Sequence, residues 1–289
     1  MQLPMKRQDF RHLERLRVRW SEVDLQKIVF NGHYLMYADT AVAGYWRALA
    51  MPYHDTMAVL QGDLYMRKAT LEYTGSAHYD EQLQVGIRCG RIGNSSLVFS
   101  TAIFRGDTVL VRGELVYVFA DPQTMTSKPV PDSLRALFTA FEAGETMVQV
   151  TLEPWAQAQA VVSVLRDQVL VQEQQGPKDL VSDGDDATAV HAVARNRFGV
   201  VVGSGRVVLG ADGRAQVGRM AVLASVRGAG VGRLLLNSLA GTAQDGGCTV
   251  VFLFASADAE GFYARQGYRT VGAAFEQVGV RHQEMRRAL

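Results

Sequence analysis

Residues Arg219 to Leu239 read RMAVLASVRGAGVGRLLLNSL, an apolar strand that passes through a glycine-rich turn into an amphipathic helix. At its centre, Arg227-Gly228-Ala229-Gly230-Val231-Gly232 removes side chains where backbone has to approach a ligand closely. The row of amides that follows opens a helix whose positive end attracts anions. The segment is therefore read as a pyrophosphate cradle for a phosphorylated cofactor.

Two other glycine motifs compete for it. A P-loop needs Lys and Ser/Thr after its last glycine, and Gly232 is followed by Arg233 and Leu234. A dinucleotide fingerprint needs an acidic residue at a strand end further on, and Asp245 sits instead in AQDGG, a helix-ending turn. Downstream, Thr249 to Ala255 (TVVFLFA) is a continuous apolar run, expected to be a strand buried on both faces, and ADAEGFYARQGY gives a short helix ended by Gly267.

Strand, RGAGVG turn, helix, strand and helix in this order resemble the GNAT superfamily of N-acetyltransferases, whose acetyl-CoA site is an R/Q-x-x-G-x-G/A turn matched here by Arg227, Gly230 and Gly232. The likeness extends to the paired strands between Asp185 and Leu209 and to the C-terminal GAAFEQVGVRHQEMRRAL, about half the chain. It implies direct acetyl transfer from acetyl-CoA to an amine. Backbone of Met220, Ala221 and Val222 would hold the pantetheine arm, and Arg227, Gly228, Ala229, Gly230, Val231, Gly232 and Arg233 the pyrophosphate. Tyr263 falls where the family keeps a tyrosine as general acid for the leaving thiolate. The general base stays open among Glu173, Glu276 and His282.

The N-terminal half is organised differently. Leu16 to Trp20 reads as a strand, Ser21 to Gly32 (SEVDLQKIVFNG) as a loop, and His33 to Leu49 as a long apolar helix. Four alternating segments follow, Tyr65–Tyr73, Gln82–Cys89, Ser95–Phe104 and Thr108–Phe119, which predict an antiparallel meander. A long helix wrapped by such a sheet is the hotdog architecture. RVRWSEVDLQKIVFNGHYLMYADTA resembles the opening of the 4-hydroxybenzoyl-CoA thioesterase-like family, over roughly Arg11 to Phe141. The resemblance makes Asp24 the catalytic carboxylate, as base or nucleophile, and places an oxyanion site at the helix amides of Gly32, His33 and Tyr34. Two positions depart from the family pattern: Asn31 stands where many relatives carry His, and Trp20 where many carry Tyr. Those departures keep alive an alternative in which Asp24 caps the helix and the hotdog half serves only for acyl-CoA binding or dimerisation.

The 289 residues divide into an α+β pair, a hotdog domain over 1–142 and a mixed α/β GNAT domain over 144–289, separated by the turn-rich DPQTMTSKPVP and the short helical SLRALFTAFEAG. The expected whole is a bifunctional enzyme, an acyl-CoA hydrolase joined to an acetyltransferase, with small-molecule acyl-CoA and amine as partners. The hotdog half implies a homodimer or homotetramer.

A formal net charge of +1 and the lack of a basic patch speak against a nucleic-acid partner. No apolar run approaches the length that spans a bilayer, and MQLPMKRQDF is not a secretion leader, so a cytoplasmic location is expected. Cys89 and Cys248 are expected reduced and buried, and neither they nor the six histidines show metal-ligand spacing, so no metal is expected. Ser182 to Asp186 lacks the glycine and distal glutamate of a calcium loop and is expected to be a solvated turn. Val161 to Gln175 has helical spacing that packs on the sheet.

Overall fold

The computed structural model describes residues 5–277 and 280–289. Met1–Pro4, from the segment read for a leader, and Val278–Gly279, inside the C-terminal motif, lie outside them. The chain divides into two compact units between Met147 and Val148.

The first unit contains β1 (His12–Arg17), α1 (Asn31–Ala48), α2 (Tyr53–Leu60), β2 (Asp63–Tyr73), β3 (Gln82–Ile92), β4 (Ser96–Arg105), β5 (Thr108–Ala120) and α3 (Asp132–Glu142). Its strands form one antiparallel sheet in the order β1-β3-β4-β5-β2, with α1 packed on β1, β3 and β4. The helix is buried along Tyr34, Tyr37, Ala38, Ala41, Val42 and Tyr45, a helical repeat that gives the sheet one apolar stripe. Tyr45 anchors this core, its ring 5.6 Å from Phe99, 5.9 Å from Phe138 and 4.9 Å from Phe141. Gly44 lies where any Cβ would run into the Glu14 carboxylate, so a side chain there would force strand and helix apart.

One strand differs from expectation. β1 starts at His12 and ends before Trp20, which instead begins a one-turn helix, Trp20–Glu22. Local polar bonds outcompete the sheet there: Arg19 donates its amide to Glu22 Oε2 at 2.7 Å and its Nε to Oε1 at 2.7 Å.

The second unit contains β6 (Val148–Pro154), α4 (Trp155–Arg166) with a π-helical continuation (Asp167–Glu173), β7 (Val190–Asn196), β8 (Val201–Leu209), β9 (Arg214–Val222), α5 (Val231–Asp245), β10 (Val250–Ser256), α6 (Ala257–Arg265), β11 (Arg269–Thr270), β12 (Phe275–Gln277) and β13 (Val280–Ala288). The sheet runs β11-β13-β10-β9-β8-β7-β6, with β12 paired to β13. Only β9 and β10 are parallel, and their register covers just Arg214–Gln216 against Val250–Phe252. Beyond those three pairs the strands part. β9 also bulges: Ser204 faces Ala221 but Arg206 faces Gly218, which leaves Arg219 at φ 51° in the left-handed region.

The run Thr249–Ala255 is not buried on both faces as expected. In β10 only Val251, Leu253 and Ala255 are buried, while Phe254 is 42% exposed, because α6 covers one side of this strand and α4 lies against β6 to β9. Cys248 is buried and Cys89 half-buried, both free.

The acidic turn is a second correction. Asp186 is fully buried and paired with the equally buried Arg166 at 3.0 Å and with Arg206 at 2.7 Å, while Asp183 pairs with Arg206 and Arg219. Arginines from α4, β8 and β9 converge on carboxylates that sequence proximity alone made look solvated. Arg166 can only donate, so His191 Nδ1 accepts from it at 3.2 Å and Nε2 donates to the Asp186 carbonyl at 3.0 Å. Burial, with the Arg166 charge, lowers the His191 pKa against the opposing carbonyl bond. Hydrogen bonds from Arg206, and then from Arg219, hold Asp183 far below the usual carboxylate range.

Both shifts act in one direction. Below 6.5 the unfolded chain takes up a proton at His191 that the folded chain refuses, and below 3.8 the same holds at Asp183, so folding stability falls on acidification. The urea midpoint of the chain is expected to drop as pH falls below 6.5, and His191→Asn to make that first limb shallower, the rest of it coming from His12, whose pKa burial also lowers. A midpoint independent of pH between 6.5 and 4.5, read by circular dichroism, would contradict the buried neutral imidazole.

Candidate active sites

In the first unit Asp24 sits in a tight loop whose ends are bonded by the Asp24 amide to the Ile28 carbonyl at 2.9 Å, with Lys27 at φ 61° closing the turn. Asp24 Oδ1 accepts the Gln26 amide at 2.8 Å, an Asx turn. The carboxylate does not cap α1: the N-cap is Phe30 and no side chain bonds there. Its second oxygen has no hydrogen bond among the described residues, and the side chain is half-buried.

Of the three expected oxyanion residues, His33 has its amide bonded to the Phe30 carbonyl at 2.9 Å. Tyr34 is buried, its hydroxyl accepting the Ala77 amide at 2.8 Å. Gly32 is the residue whose lack of a side chain matters, since a Cβ would stand 3.0 Å from the Phe30 ring. Tyr37 and Met57 are likewise buried in the core of the unit.

A buried Glu22 under this loop escaped sequence reasoning. Burial opposes its charge, but bonds from Tyr37 Oη at 2.6 Å and from Arg19 outweigh that and keep it ionised. It ties the loop to α1. The exposed side of the same region is apolar, with Trp20 77%, Leu25 102%, Phe30 54% and Met36 52% exposed.

In the second unit the parted strands frame the other site. Met220, Ala221 and Val222 form the arm of β9 past its bulge, with no β10 partner in the register; on that side the Val222 carbonyl accepts from the Arg227 side chain. The chain then turns through Ala224–Val226 and Arg227 to Gly228 at φ 93° and Gly230 at φ 84°. Gly230 is the N-cap of α5, so the amides of Val231, Gly232 and Arg233 form its first turn. Gly232 brings α5 against α6: a Cβ would lie 3.2 Å from the Phe262 ring.

Arg227 is already engaged. It donates Nε to the Val222 carbonyl at 3.0 Å and both terminal nitrogens to Glu173 at 2.5 and 2.8 Å. Glu173 is thereby an anchor for the turn and not a free base. His282 donates Nδ1 to the Val280 carbonyl at 2.9 Å, which leaves Nε2 as an acceptor. Glu276 lies on β12 opposite Arg281.

Tyr263 follows the β10 arm, on α6, and is 8% exposed between Phe262 at 5.0 Å and Tyr268 at 5.9 Å. Burial, with the nearby Tyr268 phenol, pushes its pKa up, so it remains a neutral O–H donor. Neither the bulge at Arg219 nor its ion pair with Asp183 was foreseen; the recurrence of three aspartates within Asp183–Asp186 was the available signal.

Comparison with known proteins assigns both halves. A model of the thioesterase superfamily matches residues 26–116, and one of the acetyltransferase (GNAT) domain matches residues 162–289. The chain is 34% identical over 122 residues to the "Uncharacterized N-acetyltransferase YjcF" of Bacillus subtilis (strain 168), covering 42% of this chain and 86% of that protein. It is 26% identical over 127 residues to the "Acyl-CoA thioester hydrolase YbgC" of Escherichia coli O157:H7, covering 43% of this chain and 92% of that one. Among solved structures, Slr0204, a 1,4-dihydroxy-2-naphthoyl-CoA thioesterase from Synechocystis, aligns at 14% identity and TM-score 0.41, covering 44% of this chain and 95% of its own. The chain belongs to the GNAT acetyltransferases; ahead of that domain it carries a hotdog-like fold whose residues 26–116 match the thioesterase superfamily model.

Proposed function

We propose that the chain is a bifunctional CoA-thioester enzyme whose domain at 1–142 hydrolyses an acyl-CoA and whose domain at 144–289 moves acetyl from acetyl-CoA to an amine. The observation that carries this reading is the pairing of a free carboxylate oxygen on Asp24, in a loop that leads into the N-terminus of α1, with parted strands that run into a glycine-capped helix.

In the first half, Asp24 activates water or attacks the thioester carbonyl, and the amide dipoles at the start of α1, with Gly32 giving close access, stabilise the oxyanion. In the second, Met220 to Val222 hold the pantetheine arm, the turn Arg227 to Arg233 holds the pyrophosphate through amides other than those of Arg227 and Ala229, which are bonded within the turn, and Tyr263 protonates the departing thiolate. His282 Nε2 is the base we favour, because Glu173 is held by Arg227. No step calls for a metal, and we place the enzyme in the cytoplasm.

The reading is tested by following free thiol from the purified protein with acyl-CoAs of graded chain length, first without and then with amines. Amine-independent release selective for one acyl chain supports the hydrolase, and amine-dependent release from acetyl-CoA supports the transferase. Release absent under both conditions refutes the proposal.

We further propose that the apolar face around Asp24, with Trp20, Leu25, Phe30 and Met36, is covered by a second copy of the chain, which would surround the carboxylate with apolar surface. Leu25→Glu is then expected to convert dimers or tetramers to monomers in sedimentation velocity. A wild-type protein that sediments as a monomer at assay concentration would contradict this.

A further inference from the structure

The sheet of the second unit has an open half-face. Along β10 the buried positions alternate with Phe252, Phe254 and Ser256, which share a face with His282, Glu284 and Arg286 of the neighbouring β13 through the register Ser256–His282, Phe254–Glu284 and Phe252–Arg286. The helical segment α4 and its π continuation pack on this same face further along the sheet, where Leu165, Val169 and Leu170 cover Ala221 of β9. The rings are therefore left over the mouth where β9 and β10 part.

Three phenyl rings and an imidazole line it in sequence. Phe254 meets Phe252 at 5.9 Å and Phe275 at 5.3 Å, both edge to face, and Phe275 stacks on His282 at 6.0 Å and 25°. The rings are not spent on core packing: Phe254 is 42% and Phe275 38% exposed.

The far end of the face is cationic. The Arg214 guanidinium lies 4.4 Å from the centre of the Phe252 ring, and Glu284 takes Arg286 Nε at 2.6 Å and Arg214 Nη2 at 3.4 Å. One carboxylate between two guanidiniums leaves a net positive charge. Arg214 Nε is also buried without a hydrogen-bond partner among the described residues. Each step of two residues along a strand advances about 7 Å, so His282 and Arg286 are two steps apart along the strand, and the Arg286 side chain reaches back one step to Glu284, which shortens the span from imidazole over the rings to guanidinium.

From this placement we infer that the half-face is the acceptor subsite, and that its substrate is an aromatic amine carrying a carboxylate. The inference rests on the acetyl-transfer reading proposed above. The amine sits by His282 Nε2 at the mouth, the ring lies on Phe254 and Phe275, and the carboxylate faces Arg286 and Arg214. On attack the nitrogen forms a bond to the acetyl carbon, the carbon–sulfur bond breaks, His282 takes the amine proton and the thiolate leaves as CoA thiol. Polyamines and aminoglycosides need carboxylates on this surface, and Glu284, which lies on it, is shared by two arginines.

The test follows amine-dependent thiol release from acetyl-CoA with 4-(aminomethyl)benzoate, 4-methylbenzylamine, leucine and spermidine. The first is expected to give the highest kcat/KM. Phe254→Ala should raise its KM about tenfold and leave the KM for acetyl-CoA unchanged. Arg286→Gln should raise the KM about fivefold for the acid and leave that for 4-methylbenzylamine unchanged. Preference for spermidine or leucine, or a KM unmoved by Phe254→Ala, would overturn the subsite while leaving acetyl transfer standing. If no amine is acetylated, titration calorimetry of 4-(aminomethyl)benzoate into CoA-saturated protein decides. Binding that Phe254→Ala weakens keeps the subsite and removes the acetyltransferase reading, and no binding overturns the subsite itself.

Discussion

Asp24→Asn is expected to lower kcat for amine-independent acyl-CoA hydrolysis about 10³-fold and to leave acetyl transfer at the wild-type rate. The substitution isolates charge from structure. Asp24 Oδ1 accepts the Gln26 amide at 2.8 Å, and an asparagine carbonyl accepts the same bond, so the Asx turn and the Lys27 conformation persist. What disappears is the anionic oxygen to which the proposal gives the deprotonation of water or the attack on the carbonyl. Nor does the helix lose a cap, because Phe30 holds that position without any side-chain bond. A hydrolysis rate unchanged in Asp24→Asn would return the first domain to a scaffold or acyl-CoA-binding role, with only its apolar face in use.

The second large effect belongs to Tyr263→Phe, which is expected to lower kcat for acetyl transfer about 10²-fold while the Kd for acetyl-CoA holds. Phenylalanine keeps the ring contacts with Phe262 and Tyr268 and deletes only the hydroxyl. The sign of its pH dependence follows from burial. Because desolvation raises the Tyr263 pKa above 10.0, the phenol is protonated throughout the working range, and any alkaline loss of rate that it causes lies above that value. An alkaline limb centred near neutrality must come from another group. If Tyr263→Phe transfers acetyl as fast as wild type, the thiolate is protonated by solvent and the residue is packing alone.

The two-part architecture was legible in sequence because its strongest signals are local. Gly228 and Gly230 adopt positive φ, and Gly232 allows α5 to approach the Phe262 ring. The helical repeat Tyr34, Tyr37, Ala38, Ala41 and Tyr45 requires an enclosing sheet. Features that depend on distant partners were not legible. Asp186 looks like a turn residue until Arg166 and Arg206 arrive from elsewhere in the chain, and Glu173 looks like a free base until Arg227 reaches it from 54 residues away. The apolar run of β10 could not reveal that one of its faces is uncovered, since strand periodicity says which residues share a face and not what packs on it. Trp20 fell outside β1 because a single carboxylate, Glu22, satisfies the backbone more cheaply than the sheet does.

The central claim is that one chain holds two separate thioester chemistries, and measuring both activities in wild type, Asp24→Asn and Tyr263→Phe tests it most directly. The expected result is a double dissociation: Asp24→Asn loses hydrolysis and keeps acetyl transfer, and Tyr263→Phe does the opposite. Loss of both activities in either variant, or of neither in both, would contradict it.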